Sequence, residues 1–464
     1  MTMSEVMIQS TENERGTNLG YKQELKRSLT LKDLIIYGLV TMLPIAPIAV
    51  YGLIVQGSYG MVPLVYLVGI VAMVFTAMSY SKMSNEFPIA GSVYNYVQRG
   101  LNPHVGFVTG WMIAGDYIMA PALQTAFAAK WLNSILPAVP TFVFIIVFIA
   151  INTFITARGI SLTARTNLFF LIVEIAILVI FLGFAFKFVF IDGHGAGGFS
   201  LAPIFQADKI DFQFIAGAAS IAVLGFLGFD VISTLSEEVK DPQKTVGRAT
   251  VSSLVIIGLI FIVQTYLAAL AHPNYEGLDP DMAFFDIARE VGGDFLYYLF
   301  ILVGVAAVGI ANALAIQSAI SRIIYSMSRD KLLPFSGKLG NIHPKYKTPF
   351  NATIFVGIVS LFVALLGSIE MIVQLINFGA LTAFMVLNLT VFNHFYVKKG
   401  RRDVKGLIHY LLLPMIGFLI ILYVWSGFDR MTFIVGISWM VVGVVMGAVK
   451  SKGYKQLPPV MKDM

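Results

Sequence analysis

The fold is decided by the stretch Val223-Leu224-Gly225-Phe226-Leu227-Gly228-Phe229-Asp230-Val231-Ile232, in which an acidic residue follows two glycines inside apolar sequence. A carboxylate is costly inside a bilayer, so it marks a place where something polar binds. Glycine tolerates unwound backbone, which favours a break in the helix beside Asp230. The stretch therefore predicts a broken membrane helix with a polar binding site next to it.

The composition of the rest of the chain agrees with a membrane protein. Hydrophobic residues make up 57% of the 464 residues, charged residues make up 12%, and the mean hydropathy is +0.80. A soluble protein could not cover so much apolar surface, and each spanning helix needs about 20 mostly apolar residues. The sequence predicts an all-α integral membrane protein with twelve transmembrane spans, numbered here in chain order. They cover residues 31–57, 61–84, 104–130, 139–156, 164–190, 211–236, 246–272, 293–327, 350–367, 369–397, 408–427 and 430–449.

Basic residues predict the orientation, because short cytoplasmic loops collect Lys and Arg. With an even number of spans both termini share one side, and most Lys and Arg lie on that side, including the run from Lys398 to Lys405. The predicted location is the plasma membrane, multi-pass, with a cytoplasmic tail at 1–30 and another at 451–464. The net charge of +6 reflects this asymmetry and does not indicate binding of nucleic acid.

The two halves of the chain carry helix-breaking residues at corresponding positions. Span 1 carries Pro44 and Pro47 about as deep as span 6 carries Gly225 and Gly228. Proline removes a helical hydrogen bond, so both spans are predicted to be discontinuous, as in inverted-repeat transporters that bind substrate at the midplane. The alternative is that these residues are harmless kinks. The predicted repeats are residues 31–190 and 211–397, and spans 11 and 12 (406–450) lie outside them.

A second intramembrane acid, Asp116, lies in span 3 within Trp111-Met112-Ile113-Ala114-Gly115-Asp116-Tyr117. No intramembrane Lys or Arg is an obvious partner for Asp116 or Asp230, so a cationic amine is the natural ligand, with one carboxylate for each end of a diamine. Alternatively, each Asp caps a half-helix or bonds a hydroxyl. Aromatic neighbours are predicted to face the ligand, namely Trp111, Tyr117, Phe226 and Phe229.

A third acid, Glu174, lies in the middle of span 5. Carboxylates at such depth often serve proton relays, and a structural hydrogen bond to another helix is the alternative. The absence of cysteine and the scattered positions of the six histidines argue against an enzyme, a metal site or a cofactor. A sensor that binds without translocating stays open as a further alternative.

Three motifs carry a family resemblance. The first, before span 3, is Phe87-Pro88-Ile89-Ala90-Gly91-Ser92-Val93-Tyr94-Asn95-Tyr96. The second is Gly228-Phe229-Asp230 in span 6, followed by Ser236-Glu237-Glu238 at its end. The third runs from Arg322 in span 8 to Arg329-Asp330 and is followed by His343-Pro344. The chain resembles the amino acid–polyamine–organocation (APC) transporters, and within them the bacterial putrescine importer group. The resemblance implies the five-plus-five inverted-repeat, LeuT-like fold with discontinuous spans 1 and 6, and a substrate surrounded by spans 1, 3, 6, 8 and 10.

The resemblance also implies residue roles. Substrate-binding residues would be Thr41, Ala46, Pro47, Asp116, Tyr117, Phe226, Gly228, Phe229, Asp230, Asn312 and Gln317. Glu237 and Glu238 would form a cytoplasmic gate, with a plain helix-end salt bridge as the alternative. Glu174 would couple protons, although relatives often carry Lys or Gln there. The expected function is import of putrescine or a related di- or monoamine by proton-coupled alternating access. The alternative is an amino acid permease, acting as symporter or exchanger, and sodium is the alternative coupling ion.

Overall fold

The structure, a computed structural model, describes residues 27–88, 92–159, 164–329 and 336–455. Within these ranges the chain is helical, and the β-structure is limited to one isolated bridge between Leu29 and Val239. The predicted tails lie outside the described residues except for residues 27–30 and 451–455. The α-helices are Leu31–Met42, Ala46–Gln56, Val62–Glu86, Ser92–Gly100, Pro103–Ile135, Thr141–Ala157, Ala164–Phe186, Phe212–Ala222, Pro242–Ala271, Ala283–Gly304, Ala313–Arg329, Ser336–Leu339, Phe350–Leu366, Ile369–Val391, Val404–Gly406, Leu413–Trp425 and Arg430–Lys450.

The described helices confirm the all-α membrane class. Eight continuous helical stretches, some of which join neighbouring helices through 3₁₀ or π segments, are long and apolar enough to cross a membrane, and the bent pair that forms span 1 raises the number to nine. Two shorter apolar helices, Thr141–Ala157 and Phe350–Leu366, occupy the places predicted for spans 4 and 9. The long helix Pro103–Ile135 occupies the place of span 3. The count of twelve spans is consistent with this arrangement and stays a prediction.

Span 1 is broken where its prolines predict. Its first helix ends at Met42, and Leu43 adopts a φ of 54° that cannot continue a helix. The second helix starts at Ala46 at an angle of 47° to the first. Pro47 stands in the first turn of this second helix, where a missing N–H costs nothing. Pro44 lies between the two halves and prevents their fusion.

Span 6 is broken beside Asp230, also as predicted. An α-helix over Phe212–Ala222 tightens into 3₁₀ winding over Val223–Phe226, and a second 3₁₀ segment runs over Asp230–Glu238. Between them, Gly228 has a φ of +110°, and a Cβ there would lie 2.9 Å from the carbonyl oxygen of Thr41. Only glycine fits this position, because both the backbone angle and the space exclude a side chain.

An amide side chain from another span satisfies a backbone carbonyl at each break. The Nε2 of Gln264 on span 7 donates to the Pro44 carbonyl at 3.0 Å. The Nδ2 of Asn377 on span 10 donates to the Ser220 carbonyl at 2.6 Å. In a bilayer no water is present to satisfy such freed carbonyls, so a broken helix needs partners of this kind. The two amides therefore allow both spans to remain unwound inside the core.

Span 1 and span 6 are also tied together at the predicted cytoplasmic end. The N–H groups of Ser28 and Leu29 donate to the Glu238 carbonyl at 2.8 and 3.0 Å, and the N–H of Lys240 donates to the Leu29 carbonyl at 3.2 Å. These bonds join the chain before the first half of span 1 to the chain after the second half of span 6. Backbone hydrogen bonds thus connect the two unwound spans to each other on that side.

Candidate functional site

A cavity of about 220 Å³ lies where the two breaks meet, lined by spans 1, 3, 5, 6 and 8 and by Ile376 of span 10. Its size suits a small organic molecule. Span 8 contributes through Val305–Asn312, which is wound as a π-helix, a deviation that often marks functional sites. The polar side chains that line it are Tyr37, Thr41, Asp116, Tyr117, Gln124, Asn167, Glu174, Asp230 and Asn312.

Most of the residues expected at the site do reach this cavity. The two halves of the chain meet there through Thr41, whose hydroxyl lies 3.1 Å from the Gly228 carbonyl oxygen. The structure therefore brings span 1, span 3, span 6 and span 8 together as the resemblance implies. The expected residues that line the cavity are Thr41, Ala46, Asp116, Tyr117, Glu174, Gly228, Asp230 and Asn312.

Phe226 and Phe229 do not face the cavity, contrary to expectation. Both side chains are fully buried in the core behind it. An apolar ring gains more from packing between helices than from lining a polar cavity, and each ring sits among aromatic neighbours of spans 2, 7 and 10. Those neighbours are Tyr66 and Phe261 for Phe226, and Tyr80 and Phe384 for Phe229.

Pro47 and Gln317 also lie away from the cavity. Pro47 is buried in the first turn of the second half of span 1, where it shapes the break. Gln317 is 2% exposed, and its Nε2 donates to the Thr153 hydroxyl of span 4 at 2.8 Å. Five residues separate it from Asn312, which places the two side chains on different faces of span 8. Gln317 therefore joins two helices and does not reach a ligand.

Asp230 lies at the cavity wall and is 3% exposed. The Ser92 hydroxyl donates to its Oδ2 at 3.3 Å, and the Tyr117 hydroxyl and the backbone of Gly228 lie near its carboxylate. The hydroxyl contacts expected as the alternative role of this acid are thus present. They orient the carboxylate without neutralising its charge, so the negative charge remains available to the cavity.

Asp116 stands near Asp230, close enough for the two charges to interact. Among the described residues, no hydrogen-bond donor or cation is recorded on its carboxylate. The described lining of the cavity contains two aspartates and one glutamate but no Lys, Arg or His. Such a cavity has an excess of negative charge in a low-dielectric setting, which favours a cationic ligand or protonated acids.

Glu174 lies at the break of span 1. It is 3% exposed, and its carboxyl group lies near the backbone N–H of Ile45, just before the second half of that span. Its Oε2 has no hydrogen-bond partner in the described part of the chain. Glu174 therefore stands beside the start of the half-helix, and its unpaired Oε2 can take a proton, an ion or a water.

The expected gate residues lie beyond the cavity toward the predicted cytoplasmic end. The side chain of Glu237 is outside what the structure describes. Glu238 contributes its backbone carbonyl to the closure with Ser28 and Leu29. Its side chain and that of Arg322 both act electrostatically on the Tyr37 hydroxyl, which lines the cavity. Tyr37 therefore belongs to the cavity lining and also lies within electrostatic range of the gate region.

Sequence reasoning missed several site residues. Gln124 lines the cavity and its Nε2 donates to Asn312 Oδ1 at 2.9 Å. It stands seven residues after Tyr117 on the same helical face, and Tyr37 stands four residues before Thr41, so helical periodicity could have found both. Ser92 could not have been found in this way, because it comes from the connection between spans 2 and 3.

A larger cavity of about 610 Å³ opens at the opposite end of the bundle. Its acids already have structural tasks. Asp211 Oδ1 accepts the N–H of Gln213 at 2.7 Å, and Asp429 Oδ1 accepts the N–H of Thr432 at 2.6 Å, so both cap helices. This outer cavity is a vestibule above the break region, and the candidate site is the smaller cavity.

A multi-pass helical protein with two broken helices around a charged cavity belongs by architecture to the secondary transporters. The amino acid permease family model matches residues 43–451, and the chain belongs to that family, within the APC superfamily. Its relatives are transporters and not enzymes.

Individual relatives agree with this assignment. The low-affinity putrescine importer PlaP of Escherichia coli (strain K12) is 32% identical over 444 residues, 95% of this chain and 97% of the relative. The branched-chain amino acid permease BcaP of Bacillus subtilis (strain 168) is 23% identical over 472 residues, 94% of this chain and 95% of the relative. The crystal structure of MhsT in complex with L-phenylalanine superposes with a TM-score of 0.60 at 14% identity, covering 87% of this chain and all of that one, and so shares the fold.

Proposed function

We propose that this protein imports putrescine or a related di- or monoamine across the plasma membrane. The observation that carries the proposal is the pair Asp116 and Asp230 on one small cavity whose described lining holds no basic side chain. A buried carboxylate is stable only when protonated or matched by a cation. A diamine supplies one ammonium for each acid. The similarity to a putrescine importer supports the same substrate class.

The shape of the cavity supports a short aliphatic chain between the two acids. Small apolar residues of spans 3 and 8, such as Ala120, Ala307 and Ala311, line it between the polar groups. They offer room for methylene groups and no hydrogen bonds. The Tyr117 ring also lines this cavity, and an aromatic face can contact an ammonium.

An amino acid is the competing substrate, and its carboxylate would need the amides freed at the break of span 1. The N–H of Ile45, one of these amides, already lies near the carboxyl group of Glu174. Placing a second carboxylate there would bring two like charges together. This arrangement favours an amine without a carboxylate over an amino acid.

The mechanism proposed is alternating access around the midplane cavity, driven by protons. Spans 1 and 6 would move together on the cytoplasmic side, because their ends are joined through Ser28, Leu29 and Glu238. Glu174 would carry the coupled proton on its free oxygen, at the point where span 1 bends. Both chain termini would face the cytoplasm, as the distribution of Lys and Arg favours.

Uptake by purified protein in liposomes tests the proposal. Radiolabelled putrescine should accumulate under an inward proton gradient, and excess cadaverine should compete better than excess leucine or arginine. A sodium gradient of the same size should drive less accumulation. If amino acids compete better than diamines, the protein is an amino acid permease. If putrescine binds but does not accumulate under either gradient, the protein is a sensor.

The substitution Glu174→Gln is expected to separate binding from coupling. Glutamine keeps the size of the side chain but cannot exchange a proton, so uptake should fall to the level measured without a gradient while equilibrium binding of putrescine persists. Exchange of internal for external putrescine, which needs no net proton movement, should continue. The matched control is Glu276→Gln on an exposed loop. Gradient-driven uptake by Glu174→Gln at the level of the unmodified protein would rule out the proposed role.

A further inference from the structure

A third cavity, of about 260 Å³, opens on the lateral surface of the bundle between spans 3, 10 and 12, and we call it the lateral groove. Ser438 and Val442 of span 12 form its exposed rim. Both lie midway along Arg430–Lys450, so the groove opens at the depth of the hydrocarbon core. Its lining also includes Gly115, Asp116, Phe378, Gly379, Gly436 and Trp439.

Three glycines allow the helices around the lateral groove to pack closely. A Cβ on Gly115 would lie 2.6 Å from Trp439 Nε1, one on Gly379 would lie 2.8 Å from the Met112 carbonyl oxygen, and one on Gly436 would meet the Phe378 ring. Close approach of spans 3, 10 and 12 at these glycines shapes a slot rather than a flat helix surface.

A reciprocal pair of tryptophans fixes one wall of the groove. Trp111 Nε1 donates to the Trp439 carbonyl at 2.9 Å, and Trp439 Nε1 donates to the Trp111 carbonyl at 3.3 Å. Their rings stack with centroids 4.5 Å apart. Span 12 is thus attached to span 3 one turn from Asp116, so this wall of the slot is held in place.

Asp116 lines both the lateral groove and the central cavity. It is the charged residue of the groove's described lining, it is only partly buried, and no partner among the described residues is recorded for it. A carboxylate that meets an apolar slot at mid-bilayer is complementary to a molecule with one cationic end and an apolar tail. A neutral lipid tail would leave the carboxylate unmatched.

We propose that the lateral groove binds lipophilic primary amines that reach it from the bilayer. The amine arrives as the free base, takes the proton from protonated Asp116, and forms an ammonium–carboxylate pair, while its alkyl chain lies along Phe378, Trp439 and Val442. The ligand binds Asp116, one of the two aspartates of the central cavity, from the side of the lateral groove. It therefore inhibits transport without entering the central cavity. This inference does not depend on which substrate the protein carries.

The test uses tryptophan fluorescence of the purified protein in liposomes. A long-chain primary alkylamine with a brominated tail should quench the fluorescence, and the alcohol of equal chain length should quench far less. Val442→Phe and Ser438→Phe fill the groove from its rim, outside the central cavity, and should weaken the apparent affinity for the amine at least about tenfold. Val441→Phe, on the exposed neighbouring face of span 12, should leave it unchanged.

Transport supplies the second measurement. Val442→Phe should transport the substrate at the rate of the unmodified protein, which shows that it folds, and should lose inhibition by the alkylamine. Equal quenching by amine and alcohol would overturn the proposal. So would unchanged amine affinity in both groove-filling variants, because the amine would then bind elsewhere. If the transported substrate proves not to be an amine, the quenching result still decides the groove.

Discussion

Asp230→Asn is expected to weaken putrescine binding at least about 30-fold, because removing one partner of a buried charge pair typically costs 2–5 kcal/mol. Asparagine has nearly the same shape and can still accept the bond that Ser92 donates to this position. The loss would therefore report the charge and not the fold. Equilibrium binding of labelled putrescine to the purified protein measures it.

Asp116→Asn completes the experiment, because the two acids are proposed to hold the two ends of one diamine. Each single substitution should weaken binding of putrescine strongly. A monoamine of similar length should be sensitive to only one of them. The control is Asp211→Asn in the outer vestibule, where the side chain caps a helix. Unchanged diamine binding in both Asp116→Asn and Asp230→Asn would show that the acids serve structure alone.

Gly228→Ala is expected to abolish transport. At a φ of +110° a side chain is strained by about 1–3 kcal/mol, and the new Cβ would lie 2.9 Å from the Thr41 carbonyl oxygen. The two breaks would have to move apart, which would displace Thr41 and Asp230 from the cavity together. Uptake in liposomes and the thermal unfolding temperature measure the effect.

The matched control for this glycine is Gly183→Ala in the helical part of span 5. Gly183 has no atom within 4 Å of the position of a new Cβ and does not have a positive φ. Alanine there should leave uptake unchanged and stabilise the helix by roughly 0.5–1 kcal/mol. Normal uptake by Gly228→Ala would mean that the break in span 6 tolerates a side chain and that its geometry is not required.

The fold class and the two breaks could be predicted from single residues, because their causes are local. Proline removes a hydrogen bond wherever it stands in a helix, and glycine permits a positive φ wherever one is needed. Pro44 and Gly228 therefore mark the breaks without reference to any neighbour. Asp116, Glu174 and Asp230 were found in the same way, because an acid in apolar sequence is conspicuous by itself.

The roles of the aromatic residues could not be predicted in this way. Phe226 and Phe229 stand beside the break in sequence, yet both rings are turned into the core. Gln317 lies close to Asn312 in sequence, but its bond to Thr153 places it in a helix contact. Closeness in sequence to a site does not determine which way a side chain points once the backbone is unwound or the helix has turned.

The sequence by itself determined a membrane-embedded helical bundle, two broken helices and three costly acids, because each follows from the free energy of one segment in a bilayer. Only the tertiary structure decided that Gln264 and Asn377 satisfy the breaks, that Gln124 meets Asn312, and that Asp116 borders a lateral groove as well as the central cavity. These features depend on which helices pack together and at which depth. Such contacts join residues far apart in the chain, and no local pattern specifies them.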